Sequence, residues 1–240
     1  MSKALISIIT VCRNAGQTIG RTVASVDAQT FTDYEHIVVD GASTDGTLAL
    51  CDTANARRRI ISEPDRGLYD AMNKGISRST GRYLVFLNAG DKLHSPDTLA
   101  RVAEAIEANN EPGVVYGQTL IVDDEGRKIG ERHLIAPPDL TLKSFANGMM
   151  VCHQSFYALR TIVSGYSREF RYSADYEWCI RVLQHSRRNA YIDDYLTDYL
   201  RDGLTTRHRF ASLIERFRIM CRYYGRFSAI MTHIRKLFRR

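Results

Sequence analysis

The sequence has 240 residues and a formal net charge of +6, with 44% hydrophobic and 25% charged residues. This composition is ordinary for a globular protein, and without repeats or low-complexity runs it excludes a fibrous or disordered chain. The length suffices for one large domain with a substantial core.

The cysteines and the apolar segments exclude further classes of protein. The five cysteines include no C-x-x-C pair, which argues against a disulfide framework and a structural zinc site. No uninterrupted apolar stretch approaches the roughly 20 residues that a membrane-spanning helix needs. We therefore expect a cytoplasmic protein that is not integral to a membrane.

The first half of the chain alternates between strand and helix patterns. Short runs rich in β-branched or aromatic residues predict strands at Leu5–Val11, Glu35–Asp40, Arg59–Ser62 and Tyr83–Leu87. Helical spacing or helix-start residues follow each run, at Ile19–Val26, from about Thr44, at Leu68–Gly75 and from Ser95-Pro96. This alternation predicts an α/β fold in which helices cover both faces of a parallel sheet.

The pattern loosens beyond Val114. Shorter candidate strands stand at Val114–Tyr116, Thr119–Val122 and Lys128–Glu131. A helical face formed by four residues follows: Tyr176, Cys179, Ile180 and Leu183. We therefore divide the chain into residues 1–113, residues 114–204 and a tail at 205–240.

The tail carries most of the positive charge. Residues 207–240 contain ten Arg and Lys side chains and one acid, a net of +9, which leaves residues 1–206 at −3. The basic character therefore belongs to the tail, and nucleic acid is not the expected partner of the protein as a whole.

Two amphipathic helices are predicted in the tail, with a break at Gly225. The first has an apolar stripe formed by Leu213, Phe217, Met220, Cys221 and Tyr224, from which Arg216, Arg218 and Arg222 are displaced. Such helices lie on anionic membrane surfaces. Two alternatives stay open: the stripe packs on the rest of the protein and leaves the arginines solvated, or the tail binds nucleic acid.

Polar residues follow three of the predicted strands, at Thr10–Asn14, Asp40–Asp45 and Asn88–Asp91. Each segment alone is most simply a turn, because Asn, Gly and Asp favour turns. In an open parallel sheet, however, ligands bind beyond the carboxyl ends of the strands. Their joint occurrence predicts a ligand site at this edge. The sequence lacks G-x-G-x-x-G and P-loop motifs, which argues against a dinucleotide enzyme and a P-loop NTPase.

Five segments in a fixed order resemble a known family: SIITVCRN, VVDGASTDGT, DRGLYDAMNKG, GRYLVFLNAGD and SADYEWCIR. Over about residues 5–200 they are similar to the family 2 glycosyltransferases of the GT-A fold, and most to the subgroup that builds bacterial exopolysaccharides and glycolipids. The resemblance implies a Rossmann-like, mostly parallel sheet flanked by helices. It also implies a catalytic domain at 1–204, with a nucleotide-sugar-binding half at 1–113 and an acceptor-binding half at 114–204.

The activity implied by the resemblance is an inverting transfer of a hexosyl group. The donor would be a nucleoside-diphosphate sugar, with a UDP-sugar favoured, and the acceptor a saccharide or a lipid-linked molecule. The implied donor-binding residues are Thr10, Asn14, Asp40, Asp65, Arg66 and Asn88. Ser43 and Asp45 have an alternative interpretation as helix-start residues, and Arg66 as an exposed loop arginine.

A metal site is implied at Asp91. Family members usually carry a D-x-D-like cluster after this strand, whereas this sequence has Asn88-Ala89-Gly90-Asp91 and a single carboxylate. The resemblance implies that Asp91 holds Mn²⁺ or Mg²⁺ on the diphosphate. One carboxylate suffices in principle, because phosphate oxygens and water complete the coordination.

The catalytic base is expected at Asp175, with Glu177 as the alternative. Glu177 stands four residues before Arg181, the spacing of an ion pair on a solvated helix face, whereas Asp175 has no cation at that offset. Asp175 also matches the acid of the family. His153 and Gln154 match an H-Q element of the subgroup and would contact the diphosphate, the acceptor or the metal, although a lone histidine is more often only hydrogen-bonded.

Two other functions compete with the transferase. A sugar-1-phosphate nucleotidyltransferase would carry a glycine-rich basic loop after the first strand, which Cys12–Ala15 does not provide. A non-catalytic, membrane-associated nucleotide-sugar-binding protein is consistent with the reduced metal motif. For a transferase with a lipid-linked acceptor, we expect a peripheral position on the inner face of the cell membrane.

Overall fold

The computed structural model describes residues 3–52, 54–201 and 208–237. The strands in these ranges are β1 Ile6–Cys12, β2 Tyr34–Asp40, β3 Arg58–Ser62, β4 Tyr83–Phe86, β5 Lys92–Leu93, β6 Val114–Val122, β7 Lys128–Glu131, β8 Phe156–Leu159 and β9 Asn189–Leu200. The α-helices are α1 Ile19–Asp27, α2 Thr47–Cys51, α3 Leu68–Arg78, α4 Thr98–Ala108, α5 Ala174–His185, α6 Arg209–Tyr224 and α7 Arg226–Leu237. The first three and last three residues of the predicted tail, 205–207 and 238–240, lie outside the described residues.

One sheet runs through these strands in the order β3-β2-β1-β4-β8-β6-β9-β5, with β7 paired to β6. The pairings among β3, β2, β1 and β4 are parallel, and β6 is parallel to β9. Strand β8 runs antiparallel to both β4 and β6. The α/β sheet predicted for the first half is confirmed, and β8 begins the mixed part.

Strand β1 shows why a strand inside the sheet has a nearly continuous apolar sequence. Ile6 and Ile8 face one hydrophobic cluster, while Ile9 and Val11 face the other. Residues alternate across a strand, so a strand covered on both faces is apolar throughout. Helix α4 covers the first face through Leu99, and helices α3 and α5 cover the second.

Several boundaries differ from the prediction. The two candidate strands Val114–Tyr116 and Thr119–Val122 are one strand, β6, with an irregular register between them. Helix α4 begins at Thr98 rather than at Pro96, because Ser95 forms a turn in which its carbonyl accepts the Thr98 N–H. Strands β5, β8 and β9 were not predicted. Strand β5 has only two residues and β8 only four, and buried and exposed residues do not alternate along β9, so none of them shows a clear strand pattern in the sequence.

Both predicted tail helices are present, and Gly225, with a φ of +84°, separates them. The apolar stripe of α6 is divided between two environments. Met220 is buried in the main hydrophobic cluster, whereas Leu213 is 49% exposed. Among the described residues, no helix is long and apolar enough to cross a membrane.

Candidate active site

The carboxyl ends of β1, β2 and β4 meet at one edge of the sheet. Strands β2 and β4 flank β1 in parallel, with Cys12 beside Asp40 in the register. The segments that follow these three strands are the polar segments singled out in the sequence. The structure therefore brings together most of the predicted site residues.

Asp40 lies at the end of β2 with its side chain fully buried. Its carboxylate accepts hydrogen bonds from the Ser43 N–H at 2.9 Å, the Ser43 hydroxyl and the Ser62 hydroxyl at 2.7 Å. Burial raises the pKa of Asp40, but the bonds from Ser43 and Ser62 outweigh it and leave the pKa below its ordinary value. Asp40 is therefore ionised and already paired within the protein.

The loops after β1 and β2 are tied to each other. The exposed Asn14, at a φ of +49°, accepts the Thr44 N–H at 2.9 Å, and its own N–H donates to the Ser43 hydroxyl at 2.7 Å. Asp45 accepts the N–H groups of Gly16 and Thr47, each at 3.0 Å. The helix-start interpretation of Asp45 thus has direct support, because its Oδ1 accepts the N–H of Thr47, the first residue of α2.

Thr10 lies inside the sheet. Its hydroxyl is 2.9 Å from Nε2 of His36, and the guanidinium of Arg58 donates to Nδ1 of the same ring at 3.0 Å. Burial and then the charge of Arg58 lower the pKa of His36 to about 3, so the imidazole is neutral. Because Nδ1 accepts from Arg58, Nε2 carries the proton and donates to Thr10.

The side chain of Asp65 packs against the loop after β2. Its Oδ1 accepts the Gly67 N–H at 2.8 Å, and its Oδ2 lies so near Gly41 that a Cβ at position 41 would stand 2.2 Å away. Only glycine fits at position 41 without displacing this carboxylate. Arg66 is exposed at the same edge.

Asp91 stands in the loop after β4 and is 3% exposed. Its Oδ1 accepts the Leu200 N–H at 2.9 Å, and its Oδ2 accepts the side-chain amide of Gln154 at 2.8 Å. Burial raises the pKa of Asp91 to about 6, against the opposing effect of these two bonds. Gln154 of the H-Q element therefore positions the predicted metal ligand.

The surroundings of Asp91 fit a divalent cation only in part. The side-chain oxygen of Asn88 is buried and has no hydrogen-bond partner in the described ranges, and such an amide oxygen is a suitable ligand for Mg²⁺ or Mn²⁺. Both Asp91 oxygens keep a free lone pair beside the hydrogen bond that each accepts. However, the described residues contain no group of three or more His, Cys, Asp or Glu side chains able to hold a metal. Substrate oxygens would have to supply the remaining ligands.

Asp175 lies in the first turn of α5, with its side chain 14% exposed. The Tyr69 hydroxyl donates to its Oδ1 at 3.1 Å, and Nδ1 of His153 is 3.3 Å from its Oδ2. Burial raises the pKa of Asp175, but the interaction with His153 outweighs it and holds the pKa below its ordinary value. Asp175 is therefore a charged carboxylate with two defined neighbours.

His153 connects the two halves of the site. Its Nε2 is 3.4 Å from the side-chain nitrogen of Asn88, and its Nδ1 faces Asp175. If the Asn88 amide donates to Nε2, the ring proton is on Nδ1 and points towards Asp175. The H-Q element thus contacts both the loop after β4 and the start of α5.

Glu177 has a different environment from Asp175. Arg181 Nε lies 2.9 Å from both of its carboxylate oxygens, as the sequence spacing predicted, and the Tyr223 hydroxyl donates to Oε1 at 2.6 Å. The predicted ion pair is present, but its position on a solvated face is wrong. Glu177 is 3% exposed because helix α6 covers it.

Tyr69 was not among the predicted site residues. It stands in the quoted segment DRGLYDAMNKG, next to the apolar helix face that was recognised. A tyrosine on such a face reads as core, since most of its side chain is apolar. Only the packing of α3 near the start of α5 brings its hydroxyl to Asp175.

A family model and a known protein both match this chain. The profile of the family described as glycosyl transferase family 2 matches residues 7–166. A PGL/p-HBAD biosynthesis glycosyltransferase of Mycobacterium bovis (strain BCG / Pasteur 1173P2) is 34% identical over 192 residues, which are 77% of this chain and 72% of that protein.

Solved structures share the fold. Residues 1–349 of S. aureus TarS match with a TM-score of 0.72 at 17% identity, over 92% of this chain and 64% of that fragment, so this chain spans less than two thirds of it. The fragment in complex with UDP-GlcNAc matches with a TM-score of 0.71. The mannosyltransferase PcManGT of Pyrobaculum calidifontis, in complex with GDP-Man and Mn²⁺, matches with a TM-score of 0.69 at 17% identity, over 97% of this chain and 71% of that one.

Proposed function

Because this chain belongs to glycosyl transferase family 2, we propose that it transfers a hexosyl group, with inversion, from a nucleoside-diphosphate sugar to a hydroxyl of a saccharide or lipid-linked acceptor. Asp175 is the general base, and Asp91 would hold a divalent cation that offsets the charge of the diphosphate. UDP is the favoured nucleotide, supported by the binding of UDP-GlcNAc to TarS.

One observation carries this proposal: the two residues of the H-Q element lie against both carboxylates, Gln154 through a hydrogen bond and His153 at ion-pair distance. His153 lies 3.3 Å from Asp175, and Gln154 lies 2.8 Å from Asp91. Adjacent residues thus fix the relative positions of the base and the cation ligand. A transferase needs this relation, because a misplacement of about 1 Å between acceptor and donor can lower the rate by about 10²-fold.

Asp175 has the properties that base catalysis requires. Its lowered pKa keeps it ionised at neutral pH, and its Oδ1 and Oδ2 are oriented by Tyr69 and His153. As the acceptor oxygen attacks the anomeric carbon, Asp175 takes the hydroxyl proton. Glu177, the other acid in the first turn of α5, is already bound by Arg181 and Tyr223 and is not available as a nucleophile. A single displacement with inversion follows.

Asp91 and the Asn88 side-chain oxygen would hold Mn²⁺ or Mg²⁺, and a bound cation offsets the negative charge of the departing diphosphate. The Mn²⁺ in the PcManGT complex supports a metal of this class. We place Asn14, Asp65 and Arg66 in contact with the nucleotide. Thr10 and Asp40 were also predicted to bind the donor. Because their side chains are buried and already hydrogen-bonded within the protein, we instead assign them the role of holding this edge of the sheet in place.

We also propose that the tail helices contact an anionic membrane that carries the acceptor. Helix α6 exposes Phe210 and Ile214 at 81% and 54%, and α7 exposes Phe227 at 79%. The exposed Arg209 and Arg226 stand next to the two phenylalanines. Exposed apolar side chains beside cations match the chemistry of anionic lipid.

Incubation of the full chain with UDP-, GDP- and dTDP-sugars, with Mn²⁺ or with EDTA, tests the function. We expect at least one donor to raise the melting temperature and to be hydrolysed slowly, with Mn²⁺ increasing both effects. Donor binding without any hydrolysis or transfer would favour the non-catalytic alternative. No thermal shift with any donor would contradict the proposal altogether.

A further inference from the structure

Helix α6 lies along the start of α5, where Asp175 stands. Ser212, Arg216 and Ile219 share one face of α6, at the spacing i, i+4, i+7. The Ser212 hydroxyl is 2.9 Å from the hydroxyl of Ser173, the residue before α5. Ile219, at the other end of this face, is fully buried in the main hydrophobic cluster.

Two further contacts fix α6 on either side of Asp175. The Glu215 carboxylate accepts the N–H groups of Arg171 and Tyr172, each at 2.8 Å. Eight residues further along α6, Tyr223 donates to Glu177 at 2.6 Å. The intervening part of α6 is therefore held against the turn of α5 that carries the proposed base.

Arg216 occupies this intervening part. Its Nε is buried and has no hydrogen-bond partner within residues 3–52, 54–201 and 208–237. Its charge reaches Asp175: after burial, which raises the pKa of Asp175, and His153, which lowers it, Arg216 is a further lowering influence. A buried donor without a partner is costly, and an anionic oxygen is the partner to which a guanidinium binds most strongly.

We propose that Arg216 binds the diphosphate of the donor, so that tail helix α6 supplies part of the active site. The inference rests on the proposed function. In a displacement with inversion the diphosphate departs on the far side of the transferred sugar from the base, so the two groups lie about one sugar ring apart. Contacts at 3.3 and 3.4 Å connect Asp175 through His153 to Asn88 at the donor edge. The sequence placed Arg216 with Arg218 and Arg222, but those two are exposed and bind Glu169.

Arg218 provides the matched control. It stands two residues from Arg216 on the same helix, is 56% exposed in its side chain and lies 3.1 Å from Glu169. Substitution by glutamine removes one positive charge in either case. If diphosphate affinity decreased only because of the lower net charge or a weaker contact of α6 with the protein, it would therefore decrease in both R216Q and R218Q.

The test compares R216Q, R216K and R218Q with the wild-type full chain. Each protein is titrated with the nucleoside diphosphate that the wild type binds most tightly among UDP, GDP and dTDP. The corresponding nucleoside, which lacks phosphate, is measured by ligand-observed NMR. We expect R216Q to weaken diphosphate binding by about tenfold or more, roughly 1.4 kcal/mol. Nucleoside binding should not change, R218Q should match the wild type, and R216K should be intermediate.

Equal diphosphate affinity in R216Q and R218Q would overturn the inference. So would an equal loss of nucleoside and diphosphate affinity in R216Q, which would indicate a structural effect on the whole site. A wild-type protein that binds none of the three diphosphates would instead overturn the proposed function, and this inference with it.

Discussion

At the scale of single residues, the carboxylates of Asp175 and Glu177 have similar chemistry but different neighbours. Asp175 faces a tyrosine hydroxyl and a histidine ring, while Glu177 is enclosed by an arginine and a second tyrosine. Both are acids in the first turn of α5. Environment alone distinguishes the proposed base from a structural acid.

Replacement of Asp175 by Asn should lower kcat by about 10²- to 10⁴-fold, because the acceptor proton loses its base. Donor affinity should stay within about twofold, since an amide preserves the shape of the side chain and accepts from Tyr69. Steady-state kinetics and donor titration measure the two quantities.

Glu177→Gln is the matched control for Asp175→Asn. It should retain activity at temperatures below its melting point, although its weaker bonds to Arg181 and Tyr223 should lower the stability. Full activity in Asp175→Asn together with inactivity in Glu177→Gln would reverse the two roles.

At the scale of secondary-structure elements, a single histidine joins three parallel strands. His36 in β2 contacts Thr10 in β1 and Arg58 in β3. Its pKa of about 3 in the folded protein is below the ordinary histidine value, because burial disfavours the charged ring. The unfolded chain therefore binds a proton at pH 5 that the folded protein does not bind.

The sign of this pH dependence follows from linkage. The contribution of neutral His36 to the free energy of unfolding is complete above about pH 6.5 and decreases as the pH falls towards 3. The free energy of unfolding should therefore decrease by about 2 kcal/mol between pH 7 and pH 5. His36→Gln should remove this part of the pH dependence. Urea denaturation of both proteins at the two pH values measures it, and an equal pH dependence in both would contradict a neutral buried His36.

Helix α6 has two faces with opposite environments. Ile219 is fully buried, whereas Phe210 is 81% exposed. Ile219→Ala should lower the free energy of unfolding by about 2–5 kcal/mol, while Phe210→Ala should change it by less than about 0.5 kcal/mol. Urea denaturation checks both values. If Phe210→Ala were the more destabilising substitution, α6 would pack through the other face.

At the scale of the whole molecule, the tail has an inner surface at the site and an outer surface with exposed apolar residues. Ser212 and Tyr223 contact α5, while Phe210 and Ile214 point away from the core. Removal of the tail would therefore disturb the site as well as any membrane contact. Single substitutions on the outer surface separate the two effects.

The double variant Phe210→Ser/Ile214→Ser should bind vesicles that contain phosphatidylglycerol more weakly than the wild type in flotation. Its melting temperature and donor affinity should be unchanged, because neither side chain is buried. High salt should weaken binding of both proteins, since each cation near an anionic surface adds about 1 kcal/mol. Equal flotation of the variant and the wild type would exclude this surface as the membrane contact.

The sequence by itself determined the fold of the first half and predicted which segments would form the site. Strands β1 and β4 are almost entirely apolar and fully buried because the sheet is covered on both faces there. The polar residues that follow β1, β2 and β4 predict the edge where a ligand binds. These are local patterns. Asp91, Gln154, His153 and Asp175 were identified because they lie in recognisable segments, and their assigned roles stay proposals.

Only the tertiary structure decided which groups face one another. Tyr69 and Asp175 are separated by more than 100 residues. The buried Nε of Arg216 belongs to a helix for which the sequence left membrane contact, packing on the protein and nucleic-acid binding all open. Strands β8 and β9 form hydrogen bonds with β6. The periodicity of their own residues does not indicate this pairing. Which apolar residues of an amphipathic helix are buried depends on the elements that pack against it. For α6, the contacts with Ser173 and Glu177 decide which face is buried.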